Sequence, residues 1–135
     1  MVRGAGGGSV RAGGGRVAVR GVAAVIVRLP IKTVSVSNIR EHWAKRAKRA
    51  KEHRSAAFLL TAKMSPKRIP KCIALVRIAP RKLDDDNLRG ALKAVRDGVA
   101  DRLQINDNDP RVKWSYHQVK GEPLQYAVDV GWWNE

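Results

Sequence analysis

Apolar positions recur along the chain with two periods, and each period predicts a different kind of element. The clearest stripe is Leu88, Leu92, Val95, Val99 and Leu103. Its steps of three and four residues line one face of a helix, expected over 87–103. Residues 23–29 form a β-branched, apolar run closed by Pro30, which predicts a strand. Residues 71–79 predict a second strand, bounded by Pro70 and Pro80 because proline cannot donate to a strand ladder. From 111 to 119, Val112, Trp114 and Tyr116 alternate with Arg111, Lys113 and Ser115, the period of a half-exposed strand. From 126 to 132 the alternation returns, with Tyr126, Val128, Val130 and Trp132 on one side. The turn residues Lys120-Gly121-Glu122-Pro123 between these two runs predict an antiparallel hairpin.

Another helix is expected over 39–64. Ser37-Asn38 followed by Glu41 has the pattern of an N-cap with a capping-box-like glutamate, and Ser65-Pro66 ends the run. Trp43, Ala47, Ala50, Ala57, Phe58 and Leu60 give it a partial apolar face. Its first half carries Arg40, Lys45, Arg46, Lys48, Arg49, Lys51 and Arg54, offset only by Glu41 and Glu52. There is no internal repeat. The order strand, helix, strand, helix, strand, strand predicts a single α+β domain, a small mixed sheet of about four strands with two main helices packed on it.

Length and charge narrow the function. The 135 residues suffice for one modest core. A formal charge of +15 calls for a polyanionic partner, with nucleic acid ahead of an anionic membrane surface or an acidic protein. The single cysteine, Cys72, excludes an internal disulfide and a cysteine-rich zinc site, and its apolar neighbours suit a buried small hydrophobe. No apolar run of about 18 residues is present, so no membrane span is expected. The first 28 residues hold eight of the twelve glycines, five arginines and no acid. Residues 1–22 are expected to be a flexible Gly/Arg-rich segment preceding a folded domain over 23–135. The apolar stretch 22–27 is short and lacks a small-residue cleavage site, so a secretory signal is not expected and a cytoplasmic location is. A transit peptide, a tail that touches phosphates and residues added by an upstream start codon all fit the leading segment.

The charge changes sign in one place. Asp84-Asp85-Asp86 precede the second helix, Asn106-Asp107-Asn108-Asp109 follow it, and seven of the twelve acidic residues lie between Asp84 and Asp109. One reading is a helix cap, by Asp86 or Asn87, with favourable charge at the N-terminal dipole and a polar turn at the far end. The other is a hard-cation site, since three adjacent like charges repel. On an extended chain Asp84 and Asp86 would share a side. Oxygen ligands without a nearby histidine favour Mg²⁺, with Mn²⁺ as substitute. Such an ion on a cationic protein suits phosphodiester chemistry. Lys93 shares a helical stripe with Asp86, Gly90 and Asp97. It can contact a phosphate, or it can form an ordinary ion pair with Asp97. Gly90 would let a phosphate backbone come close.

These segments, in this order, resemble the RusA-type endonucleases, a family of Holliday junction resolvases common in phages and prophages. The resemblance spans 29–132. It is carried by Leu83-Asp84-Asp85-Asp86-Asn87-Leu88, by Lys93-Ala94-Val95-Arg96-Asp97, by the acidic turn, and by the run from Asn38 to Arg46. It implies Asp84, Asp86 and Asp107 as Mg²⁺ ligands, with Asp109 in reserve, and Lys93 as the catalytic or phosphate-contacting lysine. It further implies a homodimer that resolves four-way DNA junctions by paired cuts in recombination and repair. Two departures stand out: Lys93 lies further along the helix than in the best-known members, though on the same face, and Asn106 replaces the first acid of the turn. Arg40, Lys45, Arg46, Lys48, Arg49, Arg81, Lys82 and Arg89 are the expected DNA contacts. Trp114, Tyr116, Trp132 and Trp133 suit base stacking or, more simply, core and dimer packing. A junction-binding protein without catalysis and a nuclease of broader specificity are the competing expectations.

Overall fold

The stripe from Leu88 to Leu103 is the centre of the molecule. The computed structural model describes residues 13–19, 22–34 and 42–134, with side chains described from 25 onward. The elements run β1 (Gly13–Val19), β2 (Val22–Leu29), α1 (Trp43–Leu60), β3 (Cys72–Ala79), α2 (Asp85–Leu103), β4 (Lys113–Lys120) and β5 (Ala127–Trp133). All five stripe residues of α2 are buried, in one cluster with Val27, Leu29, Ile73, Leu75, Val128 and Val130 of the sheet. Two helices on a mixed sheet make an α+β fold, as the element order predicts.

The sheet order is β1-β2-β5-β3-β4. Here the expected hairpin is corrected. β4 pairs with β3, in parallel, and β5 pairs antiparallel with both β3 and β2. Parallel neighbours need a crossover of a dozen or more residues, which α2 and its flanking loops provide. Burial then decides where β5 goes. Between β2 and β3, Val130 stands opposite Val27 and Leu75, and Val128 opposite Leu29. Beside β4 it would be an edge strand. The turn residues after Lys120 therefore start a connection that returns across the sheet; Leu124 adopts a positive φ of 64° within it.

β1 lies inside the segment whose glycines predict a flexible chain. It pairs with β2 along its whole length, from Gly13 opposite Arg28 to Val19 opposite Val22. That pairing covers the row of β2 backbone groups that would otherwise form an open edge. On the sheet face away from the core, Arg28 and Asp129 stand opposite each other across β2 and β5 and join through two hydrogen bonds of 2.7 and 2.9 Å.

α1 starts and stops inside its expected limits. His42 is the N-cap, its Nδ1 accepting from the Ala44 N–H at 3.2 Å, so the helix begins four residues after the expected start. The Ser37-Asn38-Glu41 signal lies outside the described residues. At the other end, the Thr61 hydroxyl and N–H both turn back to the Ala57 carbonyl and close the helix. Ala57 is its only fully buried residue, and Trp43, Phe58 and Leu60 are exposed. The expected apolar face is therefore not a core face, because α1 packs mainly on α2 rather than on the sheet. Its C-terminal half meets α2 at Gly98. A Cβ there would fall 2.7 Å from the Cβ of Ala57 and closer still to the Arg54 carbonyl oxygen. Around this contact, Arg54 binds Asp101 through two hydrogen bonds of 2.6 and 2.8 Å. The Arg102 guanidinium lies over the Phe58 ring and donates to its carbonyl.

Gly98→Ala adds helix propensity but forces the helices apart. The expected outcome is a net loss of about 1–3 kcal/mol in thermal or urea unfolding. The same substitution at Gly90, which faces a cleft, is expected to be neutral or to stabilise by up to about 1 kcal/mol.

Candidate active site and cationic cleft

The aspartate run sits where the β3–α2 loop becomes helix, and that loop is held from below. Arg77, buried near the end of β3, donates from Nε to Thr33 Oγ1 at 2.8 Å and from Nη1 to the Arg81 carbonyl at 2.6 Å. Gln118 of β4 clasps the Leu83 backbone, accepting from its N–H at 2.9 Å and donating to its carbonyl at 2.6 Å. Two sheet residues thus fix the chain on the N-terminal side of Asp84. Burial pulls the Arg77 guanidinium below its ordinary pKa. It remains a cation at neutral pH because a guanidinium starts far above neutrality.

Asp84 itself is the N-cap of α2, with Oδ1 accepting from the Asn87 N–H at 2.9 Å. This corrects the expectation that Asp86 or Asn87 caps the helix. It also removes the extended geometry that would put Asp84 and Asp86 on one side, because Asp85 and Asp86 already lie in the first helical turn. Both are exposed, at the end of the helix where negative charge is favoured.

Two turns further on, the Lys93 ammonium stands between two carboxylates. It is 2.8 Å from Asp97 Oδ1 and 3.1 Å from Asp107 Oδ2. The ion pair with Asp97 foreseen from spacing is present, and the acidic turn supplies a second partner. Asp97 first and Asp107 second hold the Lys93 ammonium above its usual pKa, while Lys93 holds the Asp107 carboxyl below the carboxylate range. Asp109 lies elsewhere in the network. Arg111 engages it through backbone and guanidinium, and its pKa falls to about 2. Of the two candidate acids in the turn, Asp107 is the one beside Lys93.

Arg96 anchors that turn, and sequence reasoning did not single it out. It donates from Nε to the Asp107 carbonyl at 3.1 Å, again to that carbonyl through Nη2, and from Nη1 to the Tyr116 hydroxyl at 2.6 Å. Its guanidinium lies 4.7 Å from the Trp114 ring centre, and that of Arg89 5.1 Å from the Tyr116 ring centre. Trp114, Tyr116 and Trp132 pack against the core, so the packing reading holds for these three. The indole N–H of Trp114 is buried without an acceptor.

The expected DNA contacts divide into two groups. Arg81, Lys82 and Arg89 are exposed around the start of α2. Lys45, Arg46 and Lys48 are exposed on α1, and Arg49 is half-buried. Arg40 lies outside the described residues. At the head of α1, Trp43 is 74% exposed beside these cations, although spacing placed it on the apolar face. Arg46, Arg49 and His53 of α1 face Gly90, Lys93 and Asp97 of α2 across a cleft of about 240 Å³. Burial, then the charge of Arg49, lowers the His53 pKa.

Among the described residues, no three His, Cys, Asp or Glu side chains gather as a group able to hold a metal ion. In this arrangement Asp84 caps the helix through Oδ1, Asp86 is exposed in the first turn and Asp107 pairs with Lys93. The geometry offers an ammonium held by two carboxylates, across a cleft from Arg46 and Arg49.

Two outcomes follow from these contacts. In a carboxyl-detected NMR titration, Asp107 should titrate below the ordinary aspartate range, and Lys93→Met should move it back up. Because its folded pKa is depressed, the pair's contribution is complete at neutral pH and is lost as pH falls through the folded value. Gln118→Ala leaves the Leu83 N–H and carbonyl without their clasp, and is expected to cost about 1–3 kcal/mol in thermal unfolding.

No family model matches this chain, and no curated protein matches it.

Proposed function

We propose that this protein is an endonuclease that hydrolyses phosphodiesters in branched DNA, with the four-way junction as its preferred substrate. The observation that carries the reading is the position of Lys93. It is held between Asp97 and Asp107 on the helix that opens with Asp84-Asp85-Asp86, facing the cationic side of α1 across a cleft. Hydrolysis gathers negative charge on the phosphoryl oxygens and the departing oxygen. An ammonium already oriented by two carboxylates meets that charge with little reorganisation. In this reading Lys93 contacts the phosphate, Asp97 and Asp107 aim it, and the exposed arginines and lysines of α1 and of the loop before Asp84 fix the register of the duplex arms. A requirement for Mg²⁺, with Asp84, Asp86 and Asp107 as ligands, rests on the sequence motif alone. So does a homodimer that would cut two strands in one encounter.

One observation favours a different reading. Asp84 caps α2 by accepting from the Asn87 N–H, the role the aspartates would have in a junction-binding protein without catalysis. Cleavage of a synthetic four-way junction separates the two, with a matched linear duplex, a flap and a fork as controls, each in Mg²⁺ and in EDTA. The nuclease reading expects symmetric, Mg²⁺-dependent nicks confined to the junction. Asp86→Asn should abolish them while binding is kept, and Lys93→Ala should slow them by roughly 100-fold or more. Equal cutting of flaps and forks would replace the resolvase with a broader nuclease. Tight binding with no nick in Mg²⁺ or Mn²⁺ would establish the binding protein and reduce the aspartates to a helix cap.

A further inference from the structure

We infer that the end of the molecule carrying the aspartates binds unpaired nucleobases, through Trp43 and Leu124. The inference rests on the reading of this chain as a DNA-acting protein and adds a base-binding surface to it. Two arrangements bring these residues to one end. The helices α1 and α2 run side by side in the same direction: Arg46 and Arg49 line the cleft with Gly90 and Lys93, Arg54 binds Asp101, and Arg102 donates to the Phe58 carbonyl. Trp43, at the head of α1, therefore lies toward the end of α2 that Asp84 caps. The strands β3 and β4 are parallel and finish together, with Ala79 opposite Lys120. The chain leaves the first strand toward Asp84 and the second toward Leu124, and the Gly121 N–H still donates to the Ala79 carbonyl at 2.8 Å.

Among the described residues these are the two most exposed large apolar side chains, Leu124 at 86% and Trp43 at 74%. Trp114, Tyr116 and Trp132 pack against the core, so stacking falls to side chains left in solvent. Leu124 is also held there against its backbone preference. It is third in the turn Glu122–Gln125, which is closed by the Gln125 N–H on the Glu122 carbonyl at 3.0 Å and by the Glu122 N–H on Gln125 Oε1 at 2.8 Å. A positive φ at that position normally takes glycine, yet leucine holds it at 64°. No burial within the chain offsets this strain, so the strain points to a contact outside it. Charge selects the contact. A protein of net charge +15 draws a polyanion, and the apolar surface that a nucleic acid offers is the face of its bases. Stacking covers those faces in a paired duplex, which leaves unpaired bases as the occupants. Exposed Lys45, Lys82 and Lys120 flank the two positions and can take phosphates of the same strand, while exposed Glu122 disfavours a phosphate on the leucine itself.

The test compares DNAs that differ only in unpaired bases. Binding of a fluorescein-labelled four-way junction, the same junction with unpaired thymines at its branch point, and a linear duplex is measured in EDTA across a KCl series. The proteins are wild type, Trp43→Ala, Trp43→Phe and Leu124→Gly, with circular dichroism and melting to confirm folding. Leu124→Gly relieves the positive φ, so it should melt no lower than wild type. Wild type should favour the junction with unpaired thymines by roughly 5-fold or more. Trp43→Ala and Leu124→Gly should each narrow that margin, and Trp43→Phe should keep most of it. The slope of log K against log salt should stay unchanged, because no phosphate contact is removed. Equal binding of the two junctions by wild type, or a margin that survives both substitutions, overturns the inference. A variant that weakens all three DNAs alike overturns it too. So does a change of oligomeric state in analytical ultracentrifugation, which would place these side chains between copies of this chain. If wild type binds neither junction nor duplex, the DNA reading itself fails and the base-binding surface falls with it.

Discussion

Burial of one stripe of α2 organises this molecule. Leu88, Leu92, Val95, Val99 and Leu103 can leave water together only if α2 lies along the sheet, and the helix then becomes the crossover between two parallel strands. That single constraint fixes both ends of the helix relative to β3 and β4. The N-terminal end carries the three aspartates, and the chain leaving the C-terminal end forms the turn that contains Asp107 and Asp109. Arg77, Gln118 and Arg96 fasten these flanking segments to the sheet and to α2 itself. Loss of apolar area along the stripe would therefore unfasten the candidate site as well as the core.

The site is also an exercise in charge compensation. In a chain of net charge +15, the carboxylates between Asp84 and Asp109 are mostly committed to partners. Asp97 and Asp107 share Lys93, Asp101 binds Arg54, Asp109 binds Arg111, and Asp84 accepts from the helix backbone. Asp85 and Asp86 lie in the first turn, where the helix dipole favours each by about 0.3–1 kcal/mol. The repulsion that made three adjacent aspartates suggestive of a metal ion is thus partly relieved within the protein. What the pairing leaves in place is an ammonium with its direction set by two acids.

How much of this was legible depended on whether the signal was periodic or tertiary. The α2 stripe repeats over several turns, so its face and its end at Leu103 could be read directly. Alternation in β4 and β5 marked both as strands, but a two-residue period says nothing about which strand lies next to which. That is why a hairpin was expected where β3 separates the two. Ala, Arg and Lys are all good helix formers, so α1 carried no internal sign that its packing ends at Ala57 and Thr61. Any of three adjacent aspartates could have capped α2; the fold chose Asp84, because the chain before it is clasped by Gln118. Arg77 left one usable trace, a charged residue in the otherwise apolar run CIALVRIA. Arg96 lay unremarked in the motif around Lys93, and only the parallel placement of β4 brings Tyr116 and Trp114 beside it.

The acids and the surrounding cations act over different ranges, and this bears on how such a site can work on a polyanion. At physiological ionic strength charges are screened over about 8 Å, so the field that would draw a polyanion in from solution is that of the whole basic surface. Asp84, Asp85 and Asp86 are felt only when a phosphate comes within a few ångströms of them. On the proposed reading, recruitment is set by α1 and the loop before Asp84, while the last approach is set by the acids and by Lys93. A phosphate can take Lys93 from Asp97 and Asp107 only by offering a comparable hydrogen-bonding geometry, since both carboxylates already lie at charge-assisted distances. On the proposed reading, that competition discriminates between phosphates that merely pass along the cationic surface and one pressed into position by the geometry of a branched duplex.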